Sequence, residues 1–387
     1  MRLGYSCHDS FPSSDTNTQQ IFWTVVEVAR AGAAVDLSVP SIRVSDIGGI
    51  ASLARHYGVE PSDMPSGFTV KPVGRSDAAG SIAKGWFDWN APRAFRSADY
   101  DVLWTRDALA AWAFARAGRP FVFETYRPDF ATASSFAWWR RACLRSPSLG
   151  GVVTHSRLAA DAFRGAGVPP DRVLVAHNGY AESLMQPRLD KLAARRQLSL
   201  PGDASIVMYA GHAGPEKGID VLLRMIAAVP QATLVILGVD EGTTEARWVA
   251  DEAAKAGAAN VLLRPRVRVA DVAPYLYAAD CLVIPPTDTP RRRFGRTVLP
   301  MKIFTYLAAG RPILAGNSPD VAEVLVDGDS ALLVPPGDVS SASAALARLL
   351  GDAALQARLS QGALAASPAY TWEARARKLV NFFERVL

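Results

Sequence analysis

Two segments of this sequence carry residue types that could hold a phosphate or diphosphate group. In YAGHAGPEKGID (209–220), Gly211 and Gly214 allow tight turns between an apolar run and Lys217. Lys217 stands at the predicted start of a helix, where unpaired backbone N–H groups and the helix dipole favour an anion. His212 could donate a hydrogen bond to a phosphate or a sugar hydroxyl, although a lone histidine is more often structural. The glycine spacing excludes a P-loop.

The second segment is FGRTVLPMKIFTYLAAGRP (294–312), whose pattern predicts a loop followed by a helix. Pro300 suits the first helical position, and Gly310 with Pro312 ends the helix. The preceding run CLVIPP (281–286) predicts a buried strand. Five basic residues lie in or beside the loop: Arg291, Arg292, Arg293, Arg296 and Lys302. The segment predicts either a phosphate cradle or an ordinary strand–helix unit with an exposed basic loop, and its residues alone favour neither.

Two polar loops in the first half are candidates for binding a second substrate. His8 and Asp9 open the loop HDSFPSSDTNT after the first predicted strand, and the alternative is a solvated loop that caps the next helix. The segment ETYRPDF offers Glu124, Tyr126 and Arg127 at the end of another strand. These three side chains suit acceptor binding or, equally, a salt-bridged turn.

The segment SSFAWWRRACLR (134–145) places two tryptophans beside three arginines. Helices of this composition can lie at a membrane surface, but tryptophan is more often half-buried while arginine extends to water. From it we predict a weak contact between Trp138–Arg141 and an anionic membrane, which would favour a lipid-linked acceptor.

Strand and helix patterns alternate along the whole chain, which predicts an α/β fold with parallel sheets covered on both faces. The first series of predicted strands covers 3–7, 34–39, 68–73, 101–105, 121–125, 151–156 and 172–179. The second covers 205–211, 232–238, 260–266, 281–286, 312–317 and 331–336. Two series predict two doubly wound, Rossmann-like domains, 1–182 and 183–371, that face each other across a cleft. Ligands of such sheets bind beyond the carboxyl ends of the strands.

Composition narrows the classes of function. The 387 residues include 42 basic and 37 acidic ones, which is not basic enough to argue for nucleic acid. Cys7, Cys143 and Cys281 are far apart and lack metal-ligand spacing, which indicates a reducing compartment and no disulfide frame. We find no signal peptide or membrane-spanning run and expect a soluble, cytoplasmic protein that could associate peripherally with the inner membrane surface.

Four segments together resemble the retaining glycosyltransferases of the GT-B fold, in particular glycosyltransferase family 4. They are THSRLAADAFRGAGVPPDRVLVAHNG (154–179), GHAGPEKGIDVLL (211–223), FTYLAAGRPILA (304–315) and VAEVLVDGDSALLVPPGD (321–338). The resemblance implies transfer of a sugar from a nucleotide sugar to a glycan, lipid-linked or small-molecule acceptor, with retention at the anomeric carbon. It implies donor binding in the C-terminal domain and acceptor binding in the N-terminal one. It also implies that the last helix, 372–387, returns to the first domain.

The resemblance implies roles for individual residues. Lys217 falls on the family's diphosphate-binding lysine, and His212 replaces an arginine. The positions of the family's two glutamates are Thr297 and Thr305, and Glu323 matches a commonly retained position. The expected donor-binding residues are Gly211, Gly214, Lys217, Arg266, Gly295, Arg296, Thr297, Val298, Leu299, Lys302, Thr305 and Glu323. The expected acceptor-binding residues are His8, Asp9, Tyr126 and Arg127, and the expected catalytic residues are Lys217, His212 and Glu124.

A physical mechanism accompanies these roles. Negative charge builds on the diphosphate as the sugar leaves, and cations and helix N-termini that already face it lower the barrier. We therefore expect no metal or other cofactor, since positive side chains supply the charge and the sequence shows no credible acidic pair. Two alternatives remain open: a catalytically weakened nucleotide-sugar-binding partner subunit, and another enzyme of this architecture such as a sugar-nucleotide 2-epimerase.

Overall fold

The structure, a computed structural model, describes residues 1–40, 49–73, 80–96, 99–132, 138–289 and 299–386. It divides into two compact units. Unit 1 comprises Met1–Asn178 and Trp372–Leu387, and unit 2 comprises Gly179–Thr371. The sequence predicts a boundary between residues 182 and 183, and the boundary in the structure lies between 178 and 179. The basic loop 291–296 and the predicted donor residues Gly295, Arg296, Thr297 and Val298 lie outside the described residues.

Unit 1 contains a seven-stranded parallel sheet with the strand order β3-β2-β1-β4-β5-β6-β7. Its strands are β1 (Arg2–Ser6), β2 (Ala34–Pro40), β3 (Phe68–Val73), β4 (Val102–Thr105), β5 (Phe121–Thr125), β6 (Leu149–Thr154) and β7 (Val173–Val175). Its helices are α1 (Thr16–Arg30), α2 (Ile50–His56), α3 (Ser81–Ala94), α4 (Ala108–Arg116), α5 (Trp138–Leu144) and α6 (Arg157–Gly165). The strands follow the predicted apolar runs because a parallel sheet covered on both faces buries consecutive side chains.

Unit 2 contains a six-stranded parallel sheet with the strand order β10-β9-β8-β11-β12-β13. Its strands are β8 (Ser205–Ala210), β9 (Ala232–Leu237), β10 (Val261–Arg264), β11 (Cys281–Ile284), β12 (Ile313–Gly316) and β13 (Leu332–Val334). Its helices are α7 (Lys191–Gln197), α8 (Ile219–Ala227), α9 (Thr244–Ala256), α10 (Ala273–Ala278), α11 (Lys302–Ala309), α12 (Pro319–Ala322), α13 (Val339–Gly351) and α14 (Ala353–Ala366). The prediction of two doubly wound parallel sheets is confirmed.

The strand orders fix where ligands can bind. In each sheet the order reverses at one place, between β1 and β4 in unit 1 and between β8 and β11 in unit 2. Connections leave in opposite directions at such a point, so a crevice opens beyond the carboxyl ends of the two strands. The loops after these four strands are therefore the ones to inspect for function.

The last helix, α15 (Trp372–Val386), belongs to unit 1 and fills part of its core. The ring of Phe383 meets Trp104 of β4 edge to face at 5.0 Å, and Phe382 lies against Gly151 of β6. A side chain at Gly151 would collide with that ring, so the glycine permits the close approach of the helix. Within the described ranges, none of the helices combines the length and apolar character that crossing a membrane requires.

Candidate functional site

The loop after β8 consists of three tight turns that place Lys217 just before the N-terminus of α8. Gly211 has φ 133°, which a side chain would not tolerate without strain, and its N–H bonds to the carbonyl of Leu237 in β9. A short 3₁₀ turn, Pro215–Lys217, follows. Gly218 then adopts the left-handed conformation with φ 75° and precedes α8 without a side-chain cap. A side chain at Gly218 would also collide with Thr287, so two independent constraints require glycine there.

The segment after β11 places Lys302 at a second helix N-terminus. The predicted helix start at Pro300 is corrected to Lys302, because residues 300 and 301 form a tighter turn in which Pro300 accepts from the N–H of Ile303. Gly310 ends the helix in the left-handed conformation, as the sequence predicts. Among the residues described, no side chain caps this N-terminus; the N–H groups of Ile303 and Phe304 bond instead to the carbonyls of Pro300 and Met301.

The two lysines share one region of positive charge at the switch point of unit 2. Nζ of Lys302 lies 3.5 Å from the ring centroid of Tyr209 and would be 3.2 Å from a side chain placed on Gly211. Burial lowers the pKa of Lys302 well below its usual range, and the charge of Lys217 lowers that pKa further. Among the described residues Lys302 has no carboxylate partner, and the only one for Lys217 is Glu216 at 3.8 Å. An anion would complete this arrangement.

His212 has a cationic neighbour that the sequence did not reveal. Nη2 of Arg266 lies 3.3 Å from Nδ1 of His212, and the backbone N–H of Arg266 bonds to Asp240. Glu245, in the first turn of α9, accepts from the backbone N–H of Ala213 and fixes the loop. Arg266 follows β10, so it reaches His212 across the edge of the sheet. Arg266 thus brings a positive charge close to His212 from a different loop.

The other predicted donor residues have varied surroundings. The hydroxyl of Thr305 donates to the carbonyl of Lys302 in the same helix, so in this structure it is committed to the backbone. Leu299 is buried in the core below α11. Gly214 lies beside the carboxylate of Glu216, and Glu323 ends α12 in a half-buried position.

The switch point of unit 1 holds a cluster that the sequence did not predict. Nδ1 of His8 lies 3.0 Å from the carboxylate of Asp88, and the backbone N–H of His8 donates to Asp107 at 2.8 Å. Asp9 pairs with Lys84 and accepts from Asn17. Asp88 belongs to α3 and Asp107 is the N-cap residue of α4, so both are far from His8 in sequence. Sequence spacing could not place them together.

This cluster corrects the expectation that no acidic pair exists. Side chains of His8, Asp88 and Asp107 are spaced closely enough to hold a metal ion. Their mutual hydrogen bonds, however, already satisfy them without an ion. Burial raises the pKa of Asp107 to about 7, although the charge of His8 opposes that shift. Burial opposes a rise in the pKa of His8, but its hydrogen bond to Asp88 and the charge of Asp107 raise it overall.

Glu124 lies in a buried polar network rather than on an open loop. Its Oε1 accepts from Nε2 of His155 at 2.7 Å, from Arg375 of α15 at 2.7 Å and from Gln20 at 2.9 Å. Burial would raise the pKa of Glu124, but the charge of Arg375 and the hydrogen bond from His155 lower it to about 2. The side chain is 0% exposed, so a substrate cannot reach it here. We therefore reassign Glu124 from a candidate catalytic residue to a structural one.

Tyr126 and Arg127, the other two residues of that segment, are accessible. The ring of Tyr126 stacks on His155 with 6.2 Å between centroids, and the guanidinium groups of Arg106 and Arg127 lie over it at 5.4 and 4.9 Å. Two cations held over one aromatic ring create a positive surface at the carboxyl end of β5.

The architecture defines the class to which the chain belongs. Two doubly wound parallel-sheet units with polar switch points match solved structures of GT-B glycosyltransferases. Sucrose-phosphate synthase from Thermosynechococcus elongatus superimposes with a TM-score of 0.78 at 19% identity and covers 100% of this chain and 98% of its own. HepE from Anabaena in complex with UDP and glucose gives a TM-score of 0.71 at 15% identity and full coverage of both chains. At these identities the likeness shows the fold.

Family models then identify the lineage. Residues 204–352 match the model described as "Glycosyl transferases group 1", and residues 51–183 match the one described as "Glycosyltransferase Family 4". The two matches together cover most of the chain, which belongs to these glycosyltransferases. It is 33% identical to D-inositol 3-phosphate glycosyltransferase from Stackebrandtia nassauensis over 59% of this chain and 52% of that protein. The protein of the same name from Thermobispora bispora is 32% identical over 61% and 55%. The matches span about half the length of these relatives.

Proposed function

We propose that the chain is a retaining glycosyltransferase that moves a sugar from a nucleotide sugar to an acceptor hydroxyl without a metal. One observation carries the proposal: at the switch point of unit 2, Lys217 lies just before α8 and Lys302 begins α11, neither helix has a side-chain cap, and Lys302 has no carboxylate partner among the described residues. A diphosphate is the group that two adjacent cations and two helix N-termini fit.

The proposed mechanism needs no protein nucleophile. As the bond from the sugar to the diphosphate breaks, negative charge builds on the leaving oxygen, and the two lysines stabilise that charge more strongly than they stabilise the bound donor. The leaving oxygen then accepts the proton of the acceptor hydroxyl on the same face of the sugar, which retains the anomeric configuration. In unit 2, the segment that contains Arg266 would face the base, and Thr305 would face the ribose once its hydroxyl rotates.

We propose acceptor binding in unit 1 through His8, Asp9, Tyr126 and Arg127. These residues follow β1 and β5 and combine hydrogen-bonding groups with positive charge. The acceptor is a glycan, a lipid-linked sugar or a small molecule. Because the curated relatives are named for an inositol phosphate, that class of compound is the first small-molecule acceptor to test.

A thermal-shift screen of nucleotide sugars tests the donor assignment. A true donor at about 100 times its dissociation constant should stabilise the protein by roughly 2.7 kcal/mol. Transfer is then followed with the donor found, and NMR of the first product reports whether the anomeric configuration is retained. A product of inverted configuration would refute the retaining mechanism, and no stabilisation by any nucleotide sugar would refute the donor site.

Metal independence is tested separately with the same reaction. Because lysines and helix N-termini supply the positive charge, transfer should continue in excess chelator. If chelator abolished transfer and only a divalent ion restored it, the cluster of His8, Asp88 and Asp107 would be the first place to search for that ion.

A second candidate is a nucleotide-sugar-binding partner of another enzyme. The observation that favours it is Thr305, which stands where the family carries a glutamate and which bonds its own helix. Donor binding without transfer or donor hydrolysis by the pure protein would support this alternative, whereas measurable transfer would discard it.

A further inference from the structure

Helix α3 of unit 1 presents a stripe of large exposed residues on one face. The stripe, called the α3 stripe below, consists of Ile82, Trp86, Trp89, Arg93 and Arg96, the last in the turn that follows the helix. Their spacing of four, three, four and three residues keeps all five on one side of the helix. Ile82 is 90% exposed, Trp86 53% and Trp89 50%. The opposite face of α3 carries the buried side chains of Phe87, Asp88, Asn90 and Ala91.

Exposure of this kind is costly in water. Single surface hydrophobic residues are ordinary, but three large ones aligned on one helix form a larger apolar surface. Ile82, Trp86 and Trp89, the apolar part of the α3 stripe, are called the apolar strip below. Covering such side chains stabilises by about 25 cal/mol for each Å² removed from water. Tryptophan adds an indole N–H that prefers a polar neighbour at the edge of an apolar region. The apolar strip therefore suits a partner whose interior is apolar and whose surface is polar.

The other end of the α3 stripe borders a cavity lined largely by arginines. The cavity has a volume of about 400 Å³, and Trp89 lines it with four arginines, which are Arg93, Arg96, Arg116 and Arg119. Arg93 donates to Asn90, and the guanidinium of Arg116 lies 5.9 Å from the ring centroid of Trp112. In the part of the chain that the structure describes, none of these four guanidinium groups has a carboxylate within 4.0 Å. Four cations without counter-ions point to phosphate groups.

We propose that the α3 stripe docks unit 1 on an anionic phospholipid bilayer. Ile82, Trp86 and Trp89 enter the boundary between headgroups and acyl chains, where aromatic and aliphatic side chains of interfacial helices lie. The arginine cavity receives lipid phosphate. Each basic residue near an anionic bilayer strengthens the attraction, and salt weakens it.

The same residues fit other partners less well. A single-stranded nucleic acid could stack on Trp86 and Trp89, but Ile82, the most exposed of the three, offers a base nothing to stack on. A protein interface tends to exclude charge from its centre, whereas here four arginines adjoin the apolar strip. An apolar strip beside a positive cavity matches the layered chemistry of a bilayer surface.

This inference goes beyond the proposed function, because binding to a bilayer is measured without donor or acceptor. It also moves the expected membrane contact from Trp138–Arg141 of α5 to α3. Trp138 is 65% exposed, but its ring packs edge to face against Trp112 at 5.9 Å. A Trp138→Ala variant therefore serves as a comparison between the two helices.

Co-sedimentation of the full chain with vesicles tests the proposal. The vesicles contain equal parts phosphatidylcholine and phosphatidylglycerol, and pure phosphatidylcholine vesicles serve as the neutral reference. We expect binding at low salt, and we expect W86A/W89A and R93Q/R96Q each to lower the bound fraction about tenfold. L192A and R247Q remove an exposed leucine and an exposed arginine from unit 2 and should bind as the unchanged protein does. Circular dichroism and the unfolding midpoint confirm that each variant folds.

Four outcomes would overturn the proposal. The first is equal recovery with and without anionic vesicles. The second is binding that R93Q/R96Q lowers but that I82S and W86A/W89A leave unchanged, since charge alone would then explain it. The third is a dimer in solution that W86A/W89A disrupts, because the strip would then bind a second copy of the chain. The fourth is binding that fails only in W138A, which would return the contact to α5 and refute the role of α3.

Discussion

Lys302 lies so close to Lys217 that the charge of one lowers the pKa of the other. The two residues are 85 positions apart (302 − 217) and lie at the N-termini of helices that follow the neighbouring strands β8 and β11: Lys217 lies two residues before α8, and Lys302 is the first residue of α11. Like charges repel, so their proximity destabilises the free protein unless something negative binds between them. Proteins retain such an arrangement where function requires it.

The first prediction concerns Lys217. Lys217→Ala should fold normally, with a free energy of unfolding within about 0.5 kcal/mol of the original, because the side chain is half exposed. Its transfer rate should fall about a hundredfold or more, since it stabilises charge that develops on the diphosphate. Lys217→Arg should be partly active, because the charge survives but the compact ammonium does not. Steady-state kinetics with the identified donor measure both effects.

Lys255→Ala is the matched control, since Lys255 is an exposed lysine of unit 2 that pairs with Glu252. It should leave turnover unchanged. Near-normal turnover of Lys217→Ala would place the diphosphate elsewhere, and the basic loop 291–296 would become the leading candidate.

The second prediction is that Lys302 lowers stability while it supports binding. Lys302→Met keeps an unbranched side chain over Tyr209 but removes a partly buried charge that has no carboxylate partner among the described residues. The free energy of unfolding without ligand should rise, by about 1 kcal/mol, because the desolvation cost disappears. Donor affinity should fall at least tenfold. Urea unfolding and calorimetric titration measure the two quantities, and a loss of both stability and binding would indicate a structural lysine instead.

The third prediction tests whether Arg266 supplies the charge that His212 lacks. Arg266→Ala should weaken donor binding more than His212→Ala does, because a guanidinium carries a full charge whereas a neutral imidazole contributes one hydrogen bond. If the two act as a pair, the double variant should lose less than the sum of the single losses. Arg268→Ala, two residues along the same segment, is the control, since Arg268 pairs with Asp271 instead. If the losses of donor binding in the two single variants add up in the double variant, Arg266 and His212 act independently.

The fourth prediction concerns acid. Burial lowers the pKa of His155 from 6.5 to about 3, although its hydrogen bond to Glu124 opposes the shift. Between these pH values the unfolded chain holds a proton on His155 and the folded chain does not. The contribution of His155 to stability is therefore complete above about pH 6.5 and is lost as the pH falls, by up to about 1.4 kcal/mol per pH unit.

Urea unfolding across this pH range measures that slope. His155→Gln should be less stable at neutral pH but should lose less stability on acidification, because glutamine does not titrate. Other groups titrate in the same range, so the two slopes are compared rather than either alone. Parallel slopes would show that His155 takes up its proton equally in both states.

The parallel strands could be predicted from short apolar runs bounded by glycine or proline, because a doubly covered sheet buries almost every residue of a strand. The turn at Gly211–Gly218 could also be predicted, because a backbone with positive φ favours glycine. Contacts between residues far apart in the sequence have no comparable signal in residue type. Nothing in the spacing joins His8 to Asp107 or Arg375 to Glu124, since the sheet order and the returning helix bring them together. The sequence therefore predicts Glu124 as a catalytic residue at the end of a strand, whereas its side chain lies in the interior.

Helix α15, which returns to unit 1, also determines the order in which the two units can complete their folding during synthesis. Unit 1 is split into two stretches by the whole of unit 2, and Arg375 reaches Glu124 across 251 positions. Until the final stretch emerges, Trp104 lacks Phe383 and the carboxylate of Glu124 lacks its guanidinium. Unit 2 is one continuous stretch and can close its core earlier. The unit that is translated first is thus the one that is completed last, and its half-built sheet has to stay soluble through the synthesis of the other.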